Sequence, residues 1–174
     1  SSVGAIAFHP GGTEDKLGVY AQAELVRNDR LTITPGLRAD RTWLAPDDSA
    51  RAQGGADILG TAVSPKIDAL YQINDAWGRF GSLARTQRMP TLDELYQTDG
   101  RGPTGRIASL DLRKEKATTA EVGLTYQAQG VLADGDRLTA KATLFQSDLT
   151  DLIAAAPMGS VNVAHFRNIT AARI

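Results

Sequence analysis

The sequence contains no cysteine, only 6% aromatic residues and two histidines, His9 and His165. Without cysteine there is no disulfide scaffold, thiolate metal site or cysteine nucleophile. The two histidines are too far apart in sequence to form a local metal motif, so no metal site and no cofactor is expected. Lys+Arg 19 against Asp+Glu 20 over 174 residues leaves neither the basic excess of a nucleic-acid binder nor the charge of a disordered acidic tail. No run approaches the ~18 apolar residues of a spanning helix, and the first residues lack the basic flank and apolar stretch of a signal peptide. A transmembrane β-strand needs only ~10 residues, half of them facing water, and escapes both tests.

What is present is alternation. Between Lys16 and Val26, Leu17, Val19, Ala21, Ala23 and Leu25 share one parity, and Lys16, Gly18, Tyr20, Gln22 and Glu24 the other. Asn28-Asp29-Arg30 is a compact turn, after which Leu31, Ile33, Pro35, Leu37 and Ala39 alternate with Thr32, Thr34, Gly36, Arg38 and Asp40, giving a hairpin. Residues 44–61 read as a long loop. A second hairpin follows, with Val63, Pro65, Ile67, Ala69, Tyr71 and Ile73 on one face, a turn at Asn74-Asp75, and a less regular strand over residues 77–87. In that strand Phe80 alternates with small residues, and Arg79 and Arg85, of opposite parity, are expected to face a polar interior and pair with Glu121 or Asp68. The connection 88–116 holds a short helix at Thr91–Gln97 and a Gly-rich run at 99–105. A third hairpin joins residues 118–128 and 137–147 through Ala133-Asp134-Gly135-Asp136. One last strand, over residues 161–174, has no partner in the chain.

The count is about seven strands in the order strand, short turn, strand, long loop, three times over. Bacterial transmembrane barrels place short turns on the periplasmic side and long loops outside. The apolar faces lack charge, as lipid contact requires. A soluble antiparallel sheet resting on a core gives the same alternation, so patterning leaves both architectures open.

Several segments resemble one family, the TonB-dependent outer-membrane receptors. They are Leu17 to Gln22, Leu31 to Asp40, Val63 to Lys66, Leu83 to Tyr96, Ser109 to Lys116, Thr119 to Leu124, Thr143 to Ile153 and Phe166 to Ile169, in the family's order across nearly the whole chain. The resemblance implies an all-β fold, an antiparallel transmembrane β-barrel. A full barrel of about 22 strands is plugged by an N-terminal domain, so residues 1–174 are expected to be an internal piece of the barrel domain, without plug or TonB box.

The implied function is uptake of an iron complex, ferric siderophore or haem, across a Gram-negative outer membrane. The implied partners are that ligand, the TonB complex through regions outside this chain, and outer-membrane lipid. The Leu83–Tyr96 and Ser109–Lys116 segments resemble those of the haem-uptake branch, but no histidine lies between Thr91 and Ser109 to ligate haem iron. Tyr96 is a phenolate candidate for that task. Arg101 and Arg106, beside Asp93, Glu94 and Asp99, suit carboxylate- or propionate-bearing ligands. With Arg88 these give the loop candidates Arg88, Asp93, Tyr96, Arg101 and Arg106. The alternative is a soluble or surface-exposed all-β ligand-binding domain. No catalytic residue is expected, because the sequence has no Ser/His/Asp order, HExxH, CxxC or phosphate loop.

Overall fold

The structure, a computed structural model, describes residues 11–52, 54–98, 105–131, 133, 135–157 and 162–173. Its strands are β1 (Gly12–Gln22), β2 (Leu25–Arg27), β3 (Leu31–Pro46), β4 (Ile58–Gln72), β5 (Trp77–Arg88), β6 (Glu115–Gln129), β7 (Arg137–Ala155) and β8 (Phe166–Arg173). Two short helices, α1 (Asp48–Arg51) and α2 (Leu92–Tyr96), lie in the connections after β3 and β5. All strands form one antiparallel meander in the order β1-β3-β4-β5-β6-β7-β8, with β2 also on β3.

β1 and β2 are one strand interrupted by proline chemistry. Gln22 faces Gly36 and Leu25 faces Ile33, so the register is continuous across the break. Ala23 N–H donates to the Pro35 carbonyl at 3.1 Å, but Pro35 has no N–H with which to return the bond. The ladder drops out at Ala23 and resumes two residues later.

Register assigns every strand residue to one of two faces. The outer face carries Leu17, Val19, Leu37, Ile67, Leu83, Val122 and Leu144 in cross-strand rows. Leu17 is 58% exposed, Val19 64% and Leu144 77%, far beyond the scattered apolar residues of an ordinary surface. The inner face pairs Lys16 with Glu14, Arg38 with Asp40 at 2.6 Å and Lys66 with Asp68 at 3.2 Å. Phe80 is also on this side, its ring over Gly123 and under the Lys141 ammonium, 4.5 Å from the ring centroid.

The outer face has aromatic and cationic rims. Arg41 lies 5.7 Å from the Trp43 ring at the long-loop end. At the short-turn end Arg79 stacks on Tyr71 at 4.7 Å, and Trp77 meets Tyr126 at 4.7 Å between ring centroids. The stretch of β3 from Leu31 to Trp43 measures roughly 40 Å and stands about 30 Å tall at the ~40° tilt of barrel strands, close to the hydrocarbon thickness of a bilayer. The aromatic cluster of Tyr71, Trp77 and Tyr126 at one border, with Trp43 at the other, follows the pattern of a membrane barrel wall.

Four expectations are corrected. The first long loop shrinks to residues 47–57, because β3 runs to Pro46 and β4 begins at Ile58. Thr42, Leu44 and Pro46 are buried alternately with exposed neighbours. That alternation separates a loop-covered side from an open one, so it does not follow residue polarity. The final strand is not unpartnered, because β8 pairs with the far end of β7, from Asp148↔Arg173 to Ala155↔Phe166. Arg79 and Arg85 sit opposite Leu124 and Thr118 on the outer face, whereas Glu121 pairs with Ser82 on the inner one. Taking Phe80 as the apolar-face anchor inverts this strand; its ring fills the gap over a glycine inside. The outer face therefore does carry charge, with Arg41, Arg79 and Arg85 toward its margins.

Candidate functional site

The long connections gather at one end of the sheet and fold over its inner face. Their apolar residues build a small core of Leu44, Ala50, Leu92, Leu95 and Tyr96, with Ile58 and Leu112 against it. The Leu92 side chain covers Gly12, and the Met89 side chain lies over Gly60. Both glycines belong to the inner face, so the loops close inward over the side that carries the ion pairs.

Local sequence explains the two helices. Asp47 caps α1 by accepting from Ala50 N–H at 2.9 Å. The Ser49 hydroxyl, with that amide, holds the Asp47 carboxyl below the usual carboxylate range. Thr91 caps α2 in a reciprocal box, in which Thr91 Oγ1 accepts from Glu94 N–H at 3.3 Å and the Glu94 carboxylate accepts from Thr91 N–H at 2.9 Å.

Glu94 joins that cap to a larger clamp. Arg88, the last residue of β5, donates Nη1 and Nη2 to the two Glu94 carboxylate oxygens at 2.8 and 3.0 Å. Its Nε reaches Glu115 Oε2 at 3.0 Å, and its Nη2 bonds the same oxygen. One guanidinium thus ties the end of β5 to α2 and to the start of β6. Burial alone would raise the Glu94 carboxyl, but Arg88 and the Thr91 amide outweigh it and hold the group below its ordinary value.

A second node holds the end of the same connection. The Asn168 side chain accepts from Arg113 N–H at 2.7 Å and donates to the Arg113 carbonyl at 3.0 Å and the Asp151 carbonyl at 2.6 Å. Asp151, in left-handed backbone at φ 57°, receives Arg113 at 2.7 Å and Lys116 at 3.3 Å on its carboxylate. Nearby, Ser109 N–H donates to the Leu95 carbonyl at 2.6 Å, and Ser109 Oγ accepts from Phe166 N–H at 2.7 Å. Ile107 pairs with Ala164. The loops after β5 and β7 are therefore fastened to each other as well as to the sheet.

The candidate residues divide accordingly. Arg88 sits in the clamp. Tyr96 is 1% exposed, and its hydroxyl donates to the Ala56 carbonyl at 3.0 Å, the placement of a packing residue. Burial pushes its phenol up, against ready ionisation at neutral pH. Asp93 is exposed in the first turn of α2. Arg106 donates to the Ala156 carbonyl at 3.0 Å, and Arg101 lies outside the described residues. His165 is buried in the loop layer, its ring stacked on Phe166 at 4.8 Å; His9 lies outside the described residues. Among the described residues no cluster of metal-ligating side chains is present. Sequence reading missed the Asn168–Arg113–Asp151 node, although the Ser109–Lys116 and Phe166–Ile169 motifs both point to it.

The family model described as "TonB dependent receptor-like, beta-barrel" matches residues 1–174. The chain belongs to this family of TonB-dependent receptor barrels. It is 31% identical over 149 residues to the "TonB-dependent heme receptor A" of Haemophilus ducreyi, covering 80% of this chain and 20% of that protein. Among solved structures it is similar to a double mutant of the Serratia marcescens hemophore receptor HasR in complex with its hemophore HasA and heme. There the TM-score is 0.77 at 19% identity, over 93% of this chain and 30% of that one. It is also similar to the copper transporter OprC, with a TM-score of 0.66 at 22% identity, over 92% of this chain and 24% of that one. These two likenesses show the fold. The chain spans about a fifth of the length of the curated relative, and its membership of the family makes it part of a TonB-dependent receptor β-barrel rather than a soluble all-β domain.

Proposed function

We propose that the intact receptor sits in a Gram-negative outer membrane and imports an iron complex by energy coupled through TonB, with haem as the favoured ligand. The observation that carries the ligand choice is the 31% identity with a haem receptor over 80% of this chain. The division of one continuous sheet into an apolar, aromatic-rimmed side and an ion-paired side supports the barrel role.

In this reading the inner face lines the path and the loop layer forms part of its mouth. Arg88 and Tyr96 give the mouth its shape, whereas Asp93, Arg101 and Arg106 are the groups we assign to meeting ligand. Tyr96 is not assigned as an iron ligand, because its hydroxyl is engaged by Ala56 inside a packed core.

Titration of the purified full-length receptor with haem and with ferric siderophores, followed by Soret absorbance and intrinsic fluorescence, tests this reading. Haem should produce a saturable Soret shift that survives Tyr96→Phe with affinity within about threefold of wild type. Siderophore binding without a Soret response would overturn the haem assignment, and absence of both would overturn the import role of this receptor.

A further inference from the structure

Glycines in strand interiors cost stability and often mark a bulge or a close approach of another group. The inner-face glycines of this sheet obey that rule: Gly18 lies under Arg38 and Asp40, Gly36 under Lys66, Gly60 under Met89, Gly78 against Thr125 and Gly123 under Phe80. Gly81, of opposite parity, is on the outer face beside Ala69 and Val122. A Cβ there would meet nothing closer than the Glu121 carbonyl at 3.5 Å, the register through it is unbroken, and its φ is not positive. Neither packing nor backbone conformation requires glycine at this position.

Gly81 lies in the floor of an open groove of about 780 Å³, lined on the outer face by Ala69, Gly81, Val122, Leu124, Ala142 and Leu144. Arg79 and Tyr71 close its short-turn end, with the guanidinium 4.7 Å over the ring. Among the described residues no carboxylate pairs with Arg79. An apolar trench ending in a cation at the depth of the Tyr71, Trp77 and Tyr126 rim matches one membrane component, a chain below and an anion above.

We propose that this groove is a specific site for an inner-leaflet glycerophospholipid, one acyl chain lying over Gly81 and the phosphate held by Arg79. The proposal rests on the outer face being the lipid side of the barrel.

Native mass spectrometry of the full-length receptor in mild detergent, titrated with dioleoylphosphatidylglycerol, dioleoylglycerol or inorganic phosphate, tests it. Wild type should retain phosphatidylglycerol at least tenfold better than dioleoylglycerol and should not retain phosphate alone. Gly81→Leu and, independently, Ala69→Leu should lower phosphatidylglycerol retention about tenfold by filling the trench. Arg79→Gln should reduce phosphatidylglycerol to the level of dioleoylglycerol. Ala39→Leu, on the same face but outside the groove, should change nothing. Equal retention by wild type and both groove-filling variants, or no preference for the phosphate-bearing lipid, would overturn the site while leaving the barrel intact. A receptor that stays monodisperse without detergent would overturn the lipid-facing assignment beneath it.

Discussion

Replacing Arg88 with glutamine should loosen α2 without unfolding the sheet. The side chain is about half exposed and its partners Glu94 and Glu115 about one-fifth exposed, so solvent screens both pairs. Charge-assisted hydrogen bonds are worth ~1.5–3 kcal/mol when well shielded, and exposed ion pairs ~0–1 kcal/mol. With two-point contact to Glu94 and a second carboxylate at Glu115, solvent screening leaves the clamp worth about 2 kcal/mol. At ~1.4 kcal/mol per tenfold, local opening should rise roughly 30-fold.

Hydrogen exchange in the detergent-solubilised full-length receptor reads this directly. The amides to follow are Leu95, bonded to the Thr91 carbonyl at 3.1 Å, Gln97, bonded to Asp93 at 2.9 Å, and Ser109, bonded to Leu95 at 2.6 Å. All three should exchange faster in Arg88→Gln, while amides in the middle of β5 and β6 stay protected. Arg88→Lys should recover less than half of the loss, because an ammonium cannot make the paired contact to Glu94. Exchange of these amides within about threefold of wild type would refute the clamp.

Leu95→Ala removes a side chain 2% exposed from the loop core and should cost ~2–5 kcal/mol of loop-layer stability, measured by the same exchange or by protease nicking between β5 and β6. Asn168→Ala deletes three hydrogen bonds and should release Arg113 and the start of β6, with protection near Arg113 falling on the order of tenfold. Glu94 supplies the pH dependence. Its folded-state pKa is depressed, so its contribution is present above the unfolded value of ~4.3 and is lost as pH falls through the lower folded value. Loop protection should therefore hold from neutral pH down to about 4.5 and decline below it, and Arg88→Gln should flatten that decline.

The hairpins were legible because period-two alternation is written directly into Leu17–Leu25, Leu31–Ala39 and Val63–Ile73, and the Asn28–Arg30 and Asn74–Asp75 turns fix where each strand reverses. The helix near Thr91 was legible for an equally local reason, a Thr and a Glu spaced as a cap. β5 misled because parity was anchored on its largest apolar residue, whereas Phe80 belongs inside, over Gly123. The loop layer was opaque because its contacts join residues distant in sequence, such as Tyr96 with Ala56 and Asn168 with Arg113.

That last class of contact also bears on which groups remain for a ligand. Arg88 has the guanidinium that suits a carboxylate-bearing ligand, yet it already satisfies two carboxylates. A third carboxylate arriving at Arg88 would have to displace Glu94 or Glu115, exchanging one charge-assisted pair for another with little net gain, and would break the clamp that shapes the mouth. Tyr96 faces the same difficulty, since freeing its hydroxyl means opening a core that includes Leu44, Leu92 and Leu95. In the function proposed above, these residues act on ligand capture by holding the loop in shape, and direct contact is assigned to Arg101, Arg106 and Asp93. Substitutions at Arg88 should alter affinity for all ligands together, and substitutions at Asp93 should change the ranking among them with loop protection unchanged.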